Sequence, residues 1–357
     1  MHKYKFITIL LATAACAVSC STKTPDSFVS CDMTKNREFV IRWDIFPVMD
    51  GDVNIYISSD PTSFDTSKEP LAVAPISDNF AKISSPDSLS RFYFLLDFNG
   101  KFKRIVGTRG AYIKSAHVFR DLGGYKGDND KRIKWGMIFR SGIIDTINDY
   151  DKERFARLGI KTIIDFRDEC KTQCIHKDLG VKTMIHLPIK GLDDSKLKER
   201  ILSGEFKRGD ARIYMQDFYI SLLDKSGQEE FESMFNILTQ KENYPIVITS
   251  DFGKGHCDIA SALILSALGV SEEFILEDYT WANQYFNSDC LKKKIAHLNP
   301  DVQEGVLTML KNERKDMLCT FDVINRRYES MESFLKNEIG LTSEKSKKLH
   351  NILMTRE

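Results

Sequence analysis

Hydrophobic and polar residues are arranged in two ways along this chain, and the change falls near residue 109. From about Arg37 the apolar positions alternate with polar ones. Val53, Ile55 and Ile57 in DVNIYIS take every second place, the period of a strand with one buried face. EFVIRWDIF is dense in aromatic and β-branched residues, and RFYFLLDFNGKFKRIVGTRG predicts two more strands around Asn99-Gly100, a strong short-hairpin signal. No stretch between residues 37 and 108 has a helical period. The pattern predicts a small all-β sandwich of about seventy to eighty residues by its turn spacing, with Trp43 a core aromatic on an early strand.

From Ala111 strands and helices alternate. IKTIIDF (160–166), TMIHLPI (183–189) and PIVIT (245–249) are short apolar runs suited to a parallel sheet covered on both faces. Amphipathic segments over 148–158, 209–224, 227–240, 257–268, 271–286, 301–313, 320–338 and 343–354 predict helices. The expected fold class is therefore α/β: a doubly wound parallel sheet with a helical C-terminal region, preceded by the sandwich.

The N-terminus departs from both patterns. MHKYKFITILLATAACAVSCSTK has two early lysines, an apolar run from Phe6 to Val18 and small residues before Cys20. That is a secretory signal, too short in its apolar run to span a bilayer. AVSC resembles the lipobox of bacterial lipoproteins, which implies cleavage after residue 19 and acylation of Cys20. Cys16 in TAAC, or a plain cleaved signal, is the alternative. Residues 20–36 are polar and read as a tether. The predicted divisions are then 1–19, 20–36, 37–108 and 109–357, in a protein held to a bacterial membrane at the periplasmic face or cell surface.

Of 357 residues, 51 are Lys or Arg and 51 are Asp or Glu, so no overall field attracts nucleic acid. The cysteines are scattered and form no disulfide framework. CKTQCIH (170–176) lacks the second ligand pair of a zinc site and reads as a polar loop or helix start, with a local disulfide as an alternative. His117, His176, His186 and His297 have no spacing that suggests a metal or a triad. No cofactor and no metal are expected.

The chemistry concentrates in VITSDFGKGHCDIASALILSALGV (247–270), where a β-branched run passes through a glycine-containing loop into an apolar helix, the usual frame for a phosphate. Together with HVFRDLGGYKGDNDKRIKWGMIFRSG (117–142), LGIKTIIDFRDE (158–169) and FDVINRRYESMESFLKNEIGLTSEKSKKL (321–349), it resembles a bacterial tyrosine-phosphatase-like family with tyrosine, dual-specificity and phosphoinositide activities. The β-region resembles, in architecture only, a fibronectin type III or immunoglobulin-like module, for which a spacer role is expected.

The family's loop reads His-Cys-x-x-Gly-Lys-x-Arg-Thr/Ser-Gly. Its cysteine attacks phosphorus as a thiolate, its arginine clamps the equatorial oxygens, and an aspartate elsewhere protonates the leaving group. Laid on that pattern, Gly253 and Lys254 keep their places. Thr249 stands for the histidine, Ser250 for the nucleophile, His256 for the arginine, Cys257 for the Thr/Ser and Asp258 for the last glycine. Asp251, Phe252 and Gly255 fill the variable places. A serine hydroxyl ionises far above neutrality, so loop dipoles cannot activate it as they would a thiol.

Asp165 matches the family's general acid, or else ends a strand and caps the next turn. Arg120 and Asp121 are expected to pair and fix the FRDLGG loop, Gly123 and Gly124 to make its turn, and Arg140 to be structural. Asp251, Lys254 and Asp258 sum to one negative charge. A dianion in the loop would meet two carboxylates, each repelling it by about one kcal/mol or more.

Three function classes stay open. The first is a catalytically impaired pseudophosphatase binding a phosphorylated or unmodified protein. The second is an active phosphatase using an altered Ser250–His256 site. The third is a structural envelope protein.

Overall fold

The computed structural model describes residues 25–356, apart from 145–146, 168–178 and 193–194. The expectations for Cys16, Cys20, Cys170, Cys174 and His176 lie outside the described residues.

The first half is strand. β1 (Asp26–Met33), β2 (Glu38–Phe46) and β5 (Phe80–Ser84) form one antiparallel sheet. β3 (Asp52–Ser58), β4 (Ala72–Pro75), β6 (Tyr93–Phe98) and β7 (Phe102–Gly107) form a second, also antiparallel. Phe39, Ile41 and Trp43 of the first sheet share a core with Val53, Ile55, Phe94, Leu96 and Phe98 of the second. Trp43 is buried as expected, and its indole N–H donates to the Ile76 carbonyl at 2.8 Å. Asn99 and Gly100 both take left-handed φ (56° and 69°), which closes the predicted hairpin.

The predicted tether is corrected here. Within 20–36, residues Asp26–Met33 are β1 and pair along their length with β2. The segment's polar composition concealed an outer strand with Cys31 as its buried residue.

The second half is mixed α/β. Its five-stranded sheet has the order β12 (Thr183–His186), β11 (Thr162–Asp165), β13 (Ile246–Thr249), β10 (Ile138–Ser141), β8 (Arg120–Asp121). All neighbours are parallel except β8 against β10. Alternate residues of the central strands enter different cores: Val247, Ile163 and Phe139 join Phe155 of α1 (Asp149–Arg157), while Ile246, Ile248, Ile164 and Ile138 join the larger helical core. Both faces are thus covered, which is why these runs are continuously apolar.

After β11 the helices are α2 (Ser195–Leu202), α3 (Arg208–Ser221), α4 (Lys225–Leu238), α5 (His256–Ala267), α6 (Glu272–Tyr285), α7 (Asp289–Ile295), α8 (Pro300–Met309), α9 (Arg314–Tyr328), α10 (Met331–Asn337) and α11 (Ser343–Leu353). β9 (Arg132–Ile133) pairs with β14 (Met354–Thr355). The single helix expected over 320–338 is two, α9 and α10. Glu329 takes φ 70° between them, and the Ser330 hydroxyl caps the second.

The two halves are bonded through the FRDLGG segment, and this corrects two expectations. Arg120 and Asp121 do not pair with each other, because adjacent strand residues point to opposite faces. Asp121 instead accepts from Arg91, at the entry to β6, at 2.6 Å, with both side chains buried. Arg120 pairs with Asp278 of α6 at 2.8 Å. Asp121 also accepts the N–H groups of Gly123 and Gly136, each at 2.7 Å. Trp135 packs into the β-region's core and donates to the Ile105 carbonyl at 3.0 Å. The β-region is therefore not a detached spacer. An ion pair buried this deeply costs about 3–5 kcal/mol to break from one side, so it fixes how the halves meet.

Candidate functional site

β13 delivers the loop. Thr249 ends it, and its hydroxyl donates to the Gly142 carbonyl at 3.0 Å. Ser250 stands at the strand end, 2% exposed, and its hydroxyl donates to the Lys254 carbonyl at 2.8 Å. The Gly253 N–H donates back to the Ser250 carbonyl at 3.2 Å. Gly253 has φ 66°, and a Cβ there would lie 2.5 Å from the Gly142 nitrogen, so only glycine fits. Gly255, with φ 64°, donates its N–H to Asp258 at 2.7 Å. The groups that would cradle an anion at Gly253 and Gly255 are thus bonded to the chain's own oxygens.

Asp258 lies under the loop, on the first turn of α5. Its carboxylate pairs with Arg140 at 2.5 Å and accepts from Tyr219 (2.9 Å), Asn312 (3.0 Å) and Gly255. The expected repulsion of phosphate by Asp258 is therefore corrected: its charge is neutralised by Arg140 and turned inward. Burial opposes the charge of Arg140, but Asp258 and Asp278 outweigh it and hold the guanidinium above its ordinary range. Arg140 also donates to the Gly253 carbonyl at 2.6 Å.

Cys257 is fully buried, with its thiol 3.8 Å from the Ser141 carbonyl and the Ser250 hydroxyl beside it. Burial pushes this thiol up to about 12, so it is no nucleophile at neutral pH. Relative to the family's pattern, hydroxyl and thiol have exchanged places.

His256 points its Nε2 at the Ile189 carbonyl, 3.1 Å away, with Phe218 packed edge-on at 5.3 Å. The proton of Ser250 is directed at one carbonyl and the imidazole at another. Lys254 keeps its sequence place but turns its side chain inward, where Nζ donates to Asn283 (3.0 Å) and to the Leu310 carbonyl and lies 4.8 Å over the Phe286 ring. Burial lowers its amine to about 8, partly offset by Asp258.

Asp165 ends β11, wholly buried. Arg167 takes both of its oxygens (2.9 Å to one, 2.6 Å to the other), and the Arg167 N–H closes the turn onto it at 3.1 Å. Held this way the carboxylate accepts from Arg167 and caps the turn. Asp251 and Phe252 are exposed, and Phe252 packs against His117 and Phe286. Gly123 and Gly124 make the turn beneath Trp135, whose atoms leave no room for a Cβ at either.

Sequence reasoning missed the groups that fill the site from below: Asp278 and Tyr279 on α6, Tyr219 on α3, and Asn312 between α8 and α9. Nothing in their local pattern marks them, since they converge only once α6, α3 and the α8–α9 connection pack together. Among the described residues no cluster of three or more His, Cys, Asp or Glu could hold a metal ion, and no helix is long and apolar enough to cross a membrane.

Residues 112–355 match the profile of the tyrosine phosphatase family. A Cupriavidus necator protein provisionally named as a tyrosine-protein phosphatase is 24% identical over 225 residues, spanning 62% of this chain and 80% of that protein. Among solved structures, P. aeruginosa TpbA in complex with phosphotyrosine is 17% identical; the match covers 50% of this chain and 89% of that one, at a TM-score of 0.24. A Ruminococcus gnavus beta-glucuronidase reaches 9% identity and a TM-score of 0.19, over 64% of this chain and 38% of its own. Similarity of that grade bears on no point of the fold.

Proposed function

Because this chain belongs to the tyrosine phosphatase family, we propose that it is a pseudophosphatase of that family, exported and lipid-anchored, acting as a binding or scaffold module. The observation that carries this reading is the state of Ser250: a buried hydroxyl at the nucleophile's place, donating a hydrogen bond to the Lys254 carbonyl. Loss of a nucleophile typically costs about 10⁴-fold or more in turnover, and here the arginine fork is replaced by an imidazole turned toward Ile189. The fold that accompanies the proposal is a doubly wound sheet of tyrosine-phosphatase type over 109–357, behind a fibronectin III-like sandwich that, with β1 included, runs over 26–108. The partner is a protein, phosphorylated or unmodified, met at the exposed Asp251–Phe252 tip.

Hydrolysis of an aryl phosphate by the detergent-solubilised full chain tests the catalytic half. The expected rate equals the buffer control and is unchanged in Ser250→Ala. Turnover that disappears in Ser250→Ala would overturn the proposal in favour of an active Ser250–His256 site. The anchor is tested separately: Cys20→Ser should move the protein from the membrane fraction to the soluble one, and unchanged fractionation would remove the lipid from the account.

A further inference from the structure

Between the two halves lies a cavity of about 700 Å³, within the range of small-ligand sites and placed where such sites favour, at an interface of two packed units. β1 and β7 wall one side and α6 the other, with Arg109, Tyr125 and Trp135 among the residues between them. None of these residues belongs to the signature loop.

The α6 wall has a pattern. Phe274, Glu277, Trp281, Gln284 and Tyr285 recur at helical spacing on one face and all border the cavity. Three are aromatic plates. The polar groups among them are the Glu277 carboxylate, the Gln284 amide, the Trp281 indole N–H and the Tyr285 hydroxyl, which make no side-chain hydrogen bond to another of the described residues. Gln284 is exposed and Glu277, Trp281 and Tyr285 are half-buried, so these groups are open to whatever enters the cleft.

The cations across from this wall are already committed. Arg109 is caged by Tyr125, Trp135 and Trp281, its guanidinium 4.1, 4.9 and 5.7 Å from their ring centres, and one terminal nitrogen donates to the carbonyls of Asp121 and Gly123. Lys126 pairs with Asp130 at 2.9 Å, and Arg132 donates to the carbonyls of Gly124 and Ser27. A quaternary ammonium cannot enter an aromatic cage that Arg109 fills. A phosphate would find its cations engaged and meet Glu277 unpaired.

The remaining chemistry is that of a polyhydroxylated neutral molecule. Its C–H face stacks on an indole or phenol ring, and its hydroxyl pairs both donate to a carboxylate and accept from amide, indole and phenol donors. We propose that this cleft binds a neutral oligosaccharide of two or three units, with Trp281 as the stacking platform and Glu277 and Gln284 as the hydroxyl-reading groups. The site is independent of the pseudophosphatase reading and stands or falls separately from it.

The test is titration of the full chain in detergent, followed by tryptophan fluorescence and calorimetry, with maltotriose, cellotriose, mannotriose and chitotriose, and with phosphotyrosine as a control for the signature loop. Saturable binding of at least one trisaccharide is expected, weakened tenfold or more by Trp281→Ala and by Glu277→Ala. Trp281→Phe, which keeps a ring, should stay within about threefold of the parent. Far-ultraviolet circular dichroism of each variant must match the parent. Failure of all four sugars to saturate, or binding indifferent to Trp281→Ala in a folded variant, would overturn the proposal.

Discussion

The signature loop and the interdomain cleft are opposites. The loop carries the family's motif, with strand, glycines, lysine and helix in order, yet its polar groups at Ser250, Gly253 and Gly255 bond to the chain itself. The cleft carries no motif at all, yet one helix turns five ligand-capable side chains into a space of about 700 Å³. Polar groups beside aromatic faces around an open volume are free to meet a ligand, whereas those of the loop are already bonded.

The contrast rests on two buried ion pairs of similar quality, and breaking either is the largest effect to expect. Asp258→Gly, which sequence logic would choose to restore the family's glycine, strips Arg140 of its nearest anion and leaves Tyr219 and Asn312 unpaired. It should destabilise the protein by about 3–5 kcal/mol in urea unfolding. Arg91→Met should cost about as much by stranding Asp121, and should also abolish any ligand response of the cleft while leaving the loop unchanged. A loss below about 1 kcal/mol in both would mean that neither region is held as described.

A smaller effect separates the regions by pH. The Lys254 amine falls from its ordinary 10.5 to about 8 in the folded protein, chiefly through burial. Between those values the unfolded chain binds the extra proton, so stability rises with pH across the window. Below about 8 the penalty is fully present, at about 3 kcal/mol for a shift of this size. The neutral amine can still donate to Asn283 and Leu310, which is why the rise is not cancelled by lost hydrogen bonds. Urea unfolding of the parent minus that of Lys254→Met should show this rise between about pH 8 and 10.5. A flat difference would place the amine in water.

The smallest effect is repair. Ser250→Cys alone should give no turnover, since a thiol at 250 meets Cys257 and an imidazole in place of the fork. Ser250→Cys with Cys257→Ser and His256→Arg reverses the exchange of hydroxyl and thiol and leaves Asp258 on Arg140. That triple variant should hydrolyse aryl phosphate at least tenfold above buffer. Silence from a folded triple variant would extend the loss to Asp165, whose carboxylate Arg167 already holds.

The α/β half was legible because its elements announce themselves locally. Ile246–Thr249, the Gly253 turn and the α5 helix follow from period and glycine placement; in the β-region the Asn99-Gly100 hairpin follows likewise from turn chemistry. β1 was not legible, because an outer strand needs only an occasional buried residue and Cys31 alone gives no period. The partners of Asp258 and Asp121 were not legible either. Tyr219, Asn312 and Arg91 reach them from elements 30 to 54 residues away, and no short-range pattern specifies such meetings. Substituted motif residues could be named from the sequence, but whether Asp258 faced a ligand or Arg140 depended on packing.

The most direct measurement uses the full chain carrying isotope-labelled glycine, titrated with phosphotyrosine while the amide signals of Gly253 and Gly255 are followed. These are the N–H groups that an anion in the loop would recruit, and here they donate to Ser250 and Asp258. The account predicts that both signals stay in place to millimolar phosphotyrosine. Saturable movement of both would show a loop open to phosphate and contradict it.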